Sequence, residues 1–233
     1  MPLSSSRVLR TGGLSFDGVD DYVVMSSPLS ITNAITKTAW VYINPFDRNR
    51  YETIVDLGTP PSSIYLETNL HLRFMFGAYV GSGGNAFSGQ ANEISYTIPS
   101  AGWYFLAQVV TPSLMEGYVN GKNVGSKSGT YDLAKANVVP KIGGNYRDFF
   151  LGLIGEVRIY NRALSQTEIS DIYQNGTFIK DGLVLYFDMS EYDGSTLYDK
   201  SGYGNNGTIY GARCVIKKYG RVLPSSRVLA VAR

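Results

Sequence analysis

Three aspartates near the start of the chain form the group of side chains best suited to chemistry. Asp17, Asp20 and Asp21 surround Gly18, between two apolar segments. Gly18 allows the positive φ angle that a tight turn needs, and aspartates readily bond their own backbone in turns. Carboxylate oxygens are also the ligands that calcium prefers. The stretch therefore predicts two short strands joined by an acidic turn, with calcium as a candidate cofactor.

The rest of the chain shows no catalytic pattern. His71 is the single histidine and lies in an alternating strand pattern, where a packed or surface imidazole is the more frequent role. Glycoside hydrolysis needs two carboxylates that flank the scissile bond, and sequence spacing shows no such pair. We predict that the protein is not an enzyme and has no catalytic residue, and we rank a glycoside hydrolase lowest.

Aromatic residues in Gly-, Ser- and Asn-rich stretches are the candidates for ligand binding. Sugars stack their C–H faces on aromatic rings while polar side chains bind their hydroxyls, so exposed rings in loops suit glycan recognition. The same rings could instead pack on the body of the protein or on another subunit, and both alternatives stay open. The candidates in these predicted loops are Tyr79, Phe87, Tyr131, Tyr146, Phe149 and Phe150.

Short β-strands are the elements that must position these side chains. Apolar and β-branched residues alternate in short runs separated by Gly, Asn and Pro, with residues 103–111 the strongest run. Asn120-Gly121 is the favoured pair for a two-residue hairpin. Many short strands with such turns predict an all-β fold of two antiparallel sheets.

One helix is predicted near residues 165–175. Ser165 and Glu168 have the spacing of a capping box, and Asn175-Gly176 is typical of a helix C-terminus. The apolar positions between them form one stripe, so the helix should lie on the sandwich.

Composition excludes several classes of protein. The chain has 233 residues, a formal net charge of +2 and one cysteine, Cys214. So small a charge does not indicate nucleic-acid binding, and a single cysteine excludes an intrachain disulfide. The sequence shows no signal peptide and no apolar run long enough to insert into a membrane.

Several motifs, in order, resemble those of laminin-G-like domains in the concanavalin A-like lectin/glucanase superfamily. The resemblance covers roughly residues 14 to 175 and implies a two-sheet antiparallel jelly-roll sandwich. The motifs are Phe-Asp-Gly-Val-Asp-Asp-Tyr-Val within residues 14–25, Gly102-Trp103 before a strand, Tyr118-Val-Asn-Gly, and Gly-Glu-Val-Arg-Ile-Tyr-Asn-Arg-Ala-Leu-Ser at 155–165.

The resemblance also implies a composition for the calcium site. The first and last motifs lie near one another in such folds, which makes Asp20, Asp21 and Glu156 the metal candidates. Gly155 stands where the family usually has Asp, so one potential oxygen ligand is missing. The alternative is that these acids cap turns and pair with nearby arginines. A second oxygen-rich loop contains Asp199, Asn205 and Asn206.

The end of the chain is unusual for this family. We divide the chain into a laminin-G-like domain, 1–180, and terminal strands, 181–233, that resemble the beginning of such a domain. Ser-Ser-Arg-Val-Leu also occurs twice, at 5–9 and at 225–229. The terminal strands could complete the same sandwich, as in a circular permutation, or pair with a neighbouring copy at an open sheet edge.

Two functions from different classes fit these observations. The first is a non-catalytic surface recognition or adhesion protein that binds glycans or proteins through loops at the sandwich edge. The second is a structural subunit of a virion or surface assembly that uses the same fold for subunit contacts. We also expect self-association and an extracellular or virion-surface location.

Overall fold

Two antiparallel β-sheets, packed face to face, form the body of the protein. The computed structural model describes residues 13–44, 51–58, 62–76, 93–144, 148–190 and 192–215. Within these residues sheet A has the order β10 (Lys122–Ser128), β9 (Leu114–Val119), β8 (Gly102–Val110), β3 (Ile35–Ile43), β12 (Leu151–Tyr160), β1 (Gly13–Asp17), β16 (Arg213–Val215), with β13 (Leu183–Phe187) also beside β12. Sheet B has the order β14 (Thr196–Leu197), β15 (Gly207–Tyr210), β2 (Tyr22–Met25), β11 (Lys141–Ile142), β4 (Glu52–Asp56), β5 (Ser62–Glu67), β6 (His71–Phe76), β7 (Glu93–Thr97).

Alternation of side chains along the strands builds the core between the two sheets. In β6, Leu72, Phe74 and Phe76 are buried, while the residues between them are only partly covered. This two-residue period places every second side chain in the core and leaves the others on the outer face. The Asn120-Gly121 turn joins β9 to β10 with positive φ at both residues, as a type I′ turn requires.

The predicted helix is present and covers part of the outer face of sheet A. Helix α1 (Gln166–Asn175) begins at a capping box of Ser165 and Glu168 and ends at Gly176, which has a left-handed backbone. Ile169 and Ile172 are buried against sheet A, where Phe105 and other residues form a second apolar cluster. The helix thus covers part of the outer face of sheet A and shields its apolar side chains from solvent.

The strands of the C-terminal segment pair with the same chain. β13 pairs with β12, β15 with β2, and β16 with β1. Of the two alternatives left open by the sequence, completion of the chain's own sandwich is the arrangement in the structure. The segment therefore contributes strands to both sheets.

A β-bulge in β12 marks the point where its partner strand changes. The register with β3 shifts between Ile154 and Val157. β1 pairs with β12 before this shift, and β13 pairs with it afterwards. A bulge bends a strand and increases its twist, which suits such a change of partner.

The predicted fold class, an all-β sandwich of two antiparallel sheets with one short helix near 165–175, is confirmed. Within the described part of the chain, no helix has both the length and the apolar character needed to cross a membrane.

Candidate functional site

The acidic turn, residues 17–21, joins β1 to β2 at one end of the sandwich. The Asp17 carboxylate accepts a hydrogen bond from the Val19 N–H at 2.8 Å, and the Asp21 carboxylate accepts one from the Asp17 N–H at 2.8 Å. Gly18 has φ of 77° at the apex. Asp17, Asp20 and Asp21 each offer a carboxylate oxygen, and these oxygens lie within 4.8 Å of one another. The turn is thus both a self-bonded Asx structure and a carboxylate cluster.

Electrostatics in the acidic turn centre on Asp21. Asp21 is only 5% exposed, whereas Asp17 and Asp20 are exposed. Burial raises the pKa of the Asp21 carboxyl group, and the negative charges of Asp17 and Asp20 act in the same direction. The hydrogen bond from the Asp17 N–H and the positive charge of Arg213 act in the opposite direction and lower the pKa of Asp21. A bound cation would relieve the repulsion among the three carboxylates.

An aromatic patch lies directly beside the acidic turn on the outer face of sheet B. Tyr22 and Tyr210 occupy opposite positions on β2 and β15, and their rings stack with centroids 4.6 Å apart and an interplanar angle of 12°. Phe149 lies 6.3 Å from the Tyr22 ring, and Lys141 Nζ lies 5.9 Å from the same centroid. We call Tyr22, Tyr210, Phe149 and Lys141 the tyrosine patch. Its most accessible ring is Tyr210, which is 46% exposed.

Two glycines let the neighbouring loops approach the acidic turn closely. A Cβ atom at Gly211 would overlap Asp21 Oδ1, and one at Gly144 would lie 3.2 Å from the Asp21 carbonyl oxygen. Gly144 also forms a β-bridge with Phe149, which carries that ring toward Tyr22. Three parts of the chain that are distant in sequence therefore meet at this end: the acidic turn, residues 143–144 with 148–150, and the turn after β15.

The predicted ligand-binding aromatics have different positions. Phe149 belongs to the tyrosine patch, as described above. Tyr131 is only 3% exposed and packs edge-on against Phe76, and Phe150 is fully buried against Phe16. Of the two alternatives for these two rings, packing on the body of the protein is the one found, because both complete the core between the sheets. Tyr79, Phe87 and Tyr146 lie outside the described residues.

Glu156 does not join the acidic turn. Asp17 is opposite Leu151 in the β1–β12 pairing, whereas Glu156 lies within the bulge, five positions further along β12. Its carboxylate pairs with Arg158 Nε at 2.8 Å and accepts a hydrogen bond from the Tyr186 hydroxyl at 3.2 Å. The predicted grouping of Asp20, Asp21 and Glu156 is therefore corrected: Asp17 takes the third place.

The second oxygen-rich loop is a hydrogen-bonded turn. Asp199 Oδ1 accepts from the backbone N–H groups of Tyr186 and Ser201, and its Oδ2 accepts from the Asn205 N–H. Asn206 Oδ1 in turn accepts from the Asp199 N–H at 2.9 Å. These bonds hold the loop against β13, and the Asp199 carboxylate acts as an acceptor for backbone N–H groups.

Two glutamates on the outer face of sheet B are held by one arginine. Arg73 pairs with Glu67 at 2.6 Å and with Glu93 at 2.9 Å. Both glutamates form ion pairs with the same guanidinium, whereas a glycosidase needs two carboxyl groups in separate roles as acid and base. These contacts explain the pair as a structural network on the sheet surface.

Sequence reasoning missed Tyr22 and Tyr210 as ligand-binding candidates. It looked for aromatic residues in loops, whereas both lie in strands. The alternation in β15, where Gly207 is buried and Thr208 and Tyr210 are exposed, is the signal that could have placed Tyr210 on an outer face. The pairing of β15 with β2 has no local signal.

Comparisons with known proteins agree with this fold. A carbohydrate-binding candidate from Bacteroides ovatus superimposes with a TM-score of 0.66 at 16% identity, covering 89% of this chain and 61% of that one. A heptameric SAP-like pentraxin from Limulus polyphemus superimposes with a TM-score of 0.57 at 16% identity, covering 89% of this chain and 96% of that one. No curated protein sequence matches this chain.

The chain thus spans about three fifths of the Bacteroides ovatus protein, and at these identities both likenesses show the fold alone. A family model described as the concanavalin A-like lectin/glucanases superfamily, of the laminin-G type, matches residues 17–170. This match includes the acidic turn, the hairpin and the N-terminal half of the capped helix. The chain belongs to the laminin-G-like group of the concanavalin A-like lectin/glucanase superfamily.

Proposed function

We propose that this domain binds glycans without chemically altering them, through the tyrosine patch beside the acidic turn. The observation that carries the proposal is the stacked pair of Tyr22 and Tyr210, in which Tyr210 remains 46% exposed. Stacking on Tyr22 fixes the orientation of the Tyr210 ring before any ligand arrives. A fixed, amphipathic ring with a free face suits the apolar C–H face of a sugar.

Polar groups around the patch suit the hydroxyls of a sugar. Asp20 is exposed beside the ring pair, and the Lys141 ammonium lies near the Tyr22 ring, where a cation is favourable. Carboxylate and ammonium groups can bond several hydroxyls and thereby fix the orientation of a ligand. The description of the Bacteroides ovatus protein as carbohydrate-binding is compatible with this proposal, but the side chains of the patch carry the argument.

Calcium at the acidic turn is part of the proposal. Asp17 and Asp21 each use one carboxylate oxygen within the turn and retain a second, and Asp20 contributes an exposed carboxylate. Oxygen ligands of this kind suit calcium. A bound cation would hold the turn rigid next to Tyr22. The proposal includes an extracellular or virion-surface location, where glycans are accessible.

The test is binding of the full chain to an array of neutral and sialylated glycans, followed by titration of the glycans that bind. Tyr210→Ala should weaken binding about tenfold, because one aromatic contact is worth on the order of 1 kcal/mol. Tyr210→Phe keeps the ring and should retain binding. Mass spectrometry should recover the bound glycan intact. Repeating the titration in calcium and in chelator tests the cation, which we expect to strengthen binding.

Tyr203→Ala is the matched control. Tyr203 is 69% exposed and also belongs to the C-terminal segment, but it precedes β15, at the end opposite Tyr210. We expect no change in affinity for this variant. Equal affinities of the Tyr210→Ala variant and the unmodified protein would contradict the proposed site.

A further inference from the structure

The tyrosine patch continues along the outer face of sheet B into β15 and β14. Thr208 is exposed and lies two residues from Tyr210 on the same face of β15. It pairs with Thr196 on β14, so Thr196 shares that face. Leu197 is buried in the core, and alternation therefore places Tyr198 outward again. We call Tyr210, Thr208, Thr196 and Tyr198 the β15 strip.

A carboxylate fixes the far end of the β15 strip. The Tyr198 hydroxyl donates a hydrogen bond to Asp193 Oδ2 at 2.9 Å. Asp193 Oδ1 accepts from the N–H groups of Ser195 and Thr196, at 3.1 and 2.7 Å. These backbone bonds lower the pKa of the Asp193 carboxyl to about 2, so that it remains an ionised acceptor at neutral pH. The Tyr198 ring is thus held in place while 39% exposed.

The open part of this region is its side-chain face and not its strand edge. On the free edge of β14, the Thr196 carbonyl oxygen accepts from the Asp193 N–H at 3.2 Å. Tyr192 also forms a β-bridge with Leu197. These bonds occupy backbone groups to which an added peptide strand would pair.

The chemistry of the β15 strip suits a neutral, hydroxylated ligand. Each of its four side chains carries a hydroxyl group, two of the side chains are aromatic, and none of the four is charged. A charged peptide or a nucleic acid would need matching charges along the strip. Tyr210 and Tyr198 are separated by about four residues along the sheet and one strand across it, which is about 14 Å between their Cα atoms. A single sugar ring cannot contact both.

From this arrangement we infer that the ligand is a linear oligosaccharide chain, which lies along β15 and contacts Tyr210 at one end and Tyr198 at the other. This inference rests on the proposed function, because Tyr210 belongs to both sites. It adds the class of ligand and a second contact residue. The hydroxyls of Thr208 and Thr196 lie between the two rings, where they can bond the hydroxyls of the middle sugars.

The experiment is a titration of the full chain with cello-, xylo- and arabino-oligosaccharides of one to six sugar units. Affinity should rise with length and then level off once the strip is filled. Tyr198→Ala should lower the affinity for the long members about tenfold and leave the short members unchanged. Tyr198→Phe, which keeps the ring, should retain most of the length dependence. Phe178→Ala, which removes a 53% exposed ring beside Tyr186 of sheet A, should match the unmodified protein.

The outcomes separate the inference from the proposed function. Loss of binding in Tyr210→Ala, together with unchanged binding of every length in Tyr198→Ala, overturns the linear-chain inference and leaves the proposed function standing. Affinity that does not depend on length overturns it in the same way. If none of the three series and no arrayed glycan binds, the proposed function fails and the inference fails with it.

Discussion

Lys37 is the residue whose position departs furthest from what its type favours. It points from β3 into the core between the sheets, in the same inward row as Ile35 and Ala39, and is fully buried. Its Nζ donates to the Ser62 carbonyl oxygen at 2.8 Å and to Ser62 Oγ at 3.1 Å. Burial lowers the pKa of Lys37 to about 7, against the opposing attraction of Asp56. The fold therefore disfavours the charged form of this lysine.

This burial predicts a pH dependence of stability. Between about pH 7 and about pH 10 the unfolded chain binds more protons at Lys37 than the folded chain, because the unfolded pKa is 10.5. The free energy of unfolding should therefore rise with pH in this window, by up to about 1.4 kcal/mol per pH unit. Burial raises the pKa of Asp56 to about 6, so its opposite effect lies at lower pH. Urea unfolding between about pH 7 and about pH 9 measures the slope.

The Lys37→Met variant distinguishes the contribution of Lys37 to the pH dependence of stability from the contributions of other titrating groups. The variant removes the buried amine and should unfold with little dependence on pH in the same window. Lys122→Met, at an exposed position of β10, is the control and should keep the original slope. Identical slopes for Lys37→Met and the unmodified protein would show that Lys37 does not titrate as proposed.

At the scale of elements, the C-terminal strands are integral to the sandwich. Val184, Leu185, Phe187, Met189 and Leu197 all belong to the buried core. Burying side chains of this size stabilises a fold by about 2 kcal/mol each, or on the order of 10 kcal/mol together. Net stabilities of domains are of similar size, about 5–15 kcal/mol. The match to the family model at 17–170 therefore does not define a unit that is stable alone.

Truncation after Asp181 tests this conclusion. The shortened chain should lose cooperative unfolding, because β1, β2 and β12 each lose one partner strand and the core loses its C-terminal side chains. Circular dichroism during urea titration measures the transition. Truncation after Val215 keeps every described strand and should unfold cooperatively. A folded chain ending at Asp181 would mean that the terminal strands are dispensable for stability.

At the scale of the whole molecule, the terminal strands determine whether one chain forms the complete sandwich by itself. In this fold they complete the chain's own sheets and bring Tyr210 to Tyr22, so the tyrosine patch forms within one chain. A structural subunit that donates these strands to a neighbour would form the same patch between two chains. Head-to-tail donation builds rings or filaments unless the rotation closes.

Native mass in solution distinguishes the two hypotheses. Pairing within the chain removes the main route to head-to-tail assembly. In place of the self-association expected from the sequence, we therefore expect a monomer that acts as a glycan-binding module. Native mass spectrometry of the full chain at several concentrations makes the measurement. Rings or filaments would contradict this expectation and favour the structural subunit of a virion or surface assembly.

The sequence by itself determined the local elements of this protein. Alternation predicted the strands, Asn120-Gly121 the hairpin, and Ser165 with Glu168 the capped helix, because each signal acts within a few residues. The motifs also identified the family. The acidic turn was found for the same reason, since its hydrogen bonds lie within five residues.

Only the tertiary structure decided which distant side chains meet. Tyr22 and Tyr210 come from opposite ends of the chain, and their contact depends on the register of β15 against β2. Glu156 lies in the bulge of β12, five positions from the partner of Asp17, and is thereby separated from the aspartates. Packing between the sheets buries Tyr131. Register between distant strands is set by the packing of their inward-facing side chains, so no local pattern specifies it.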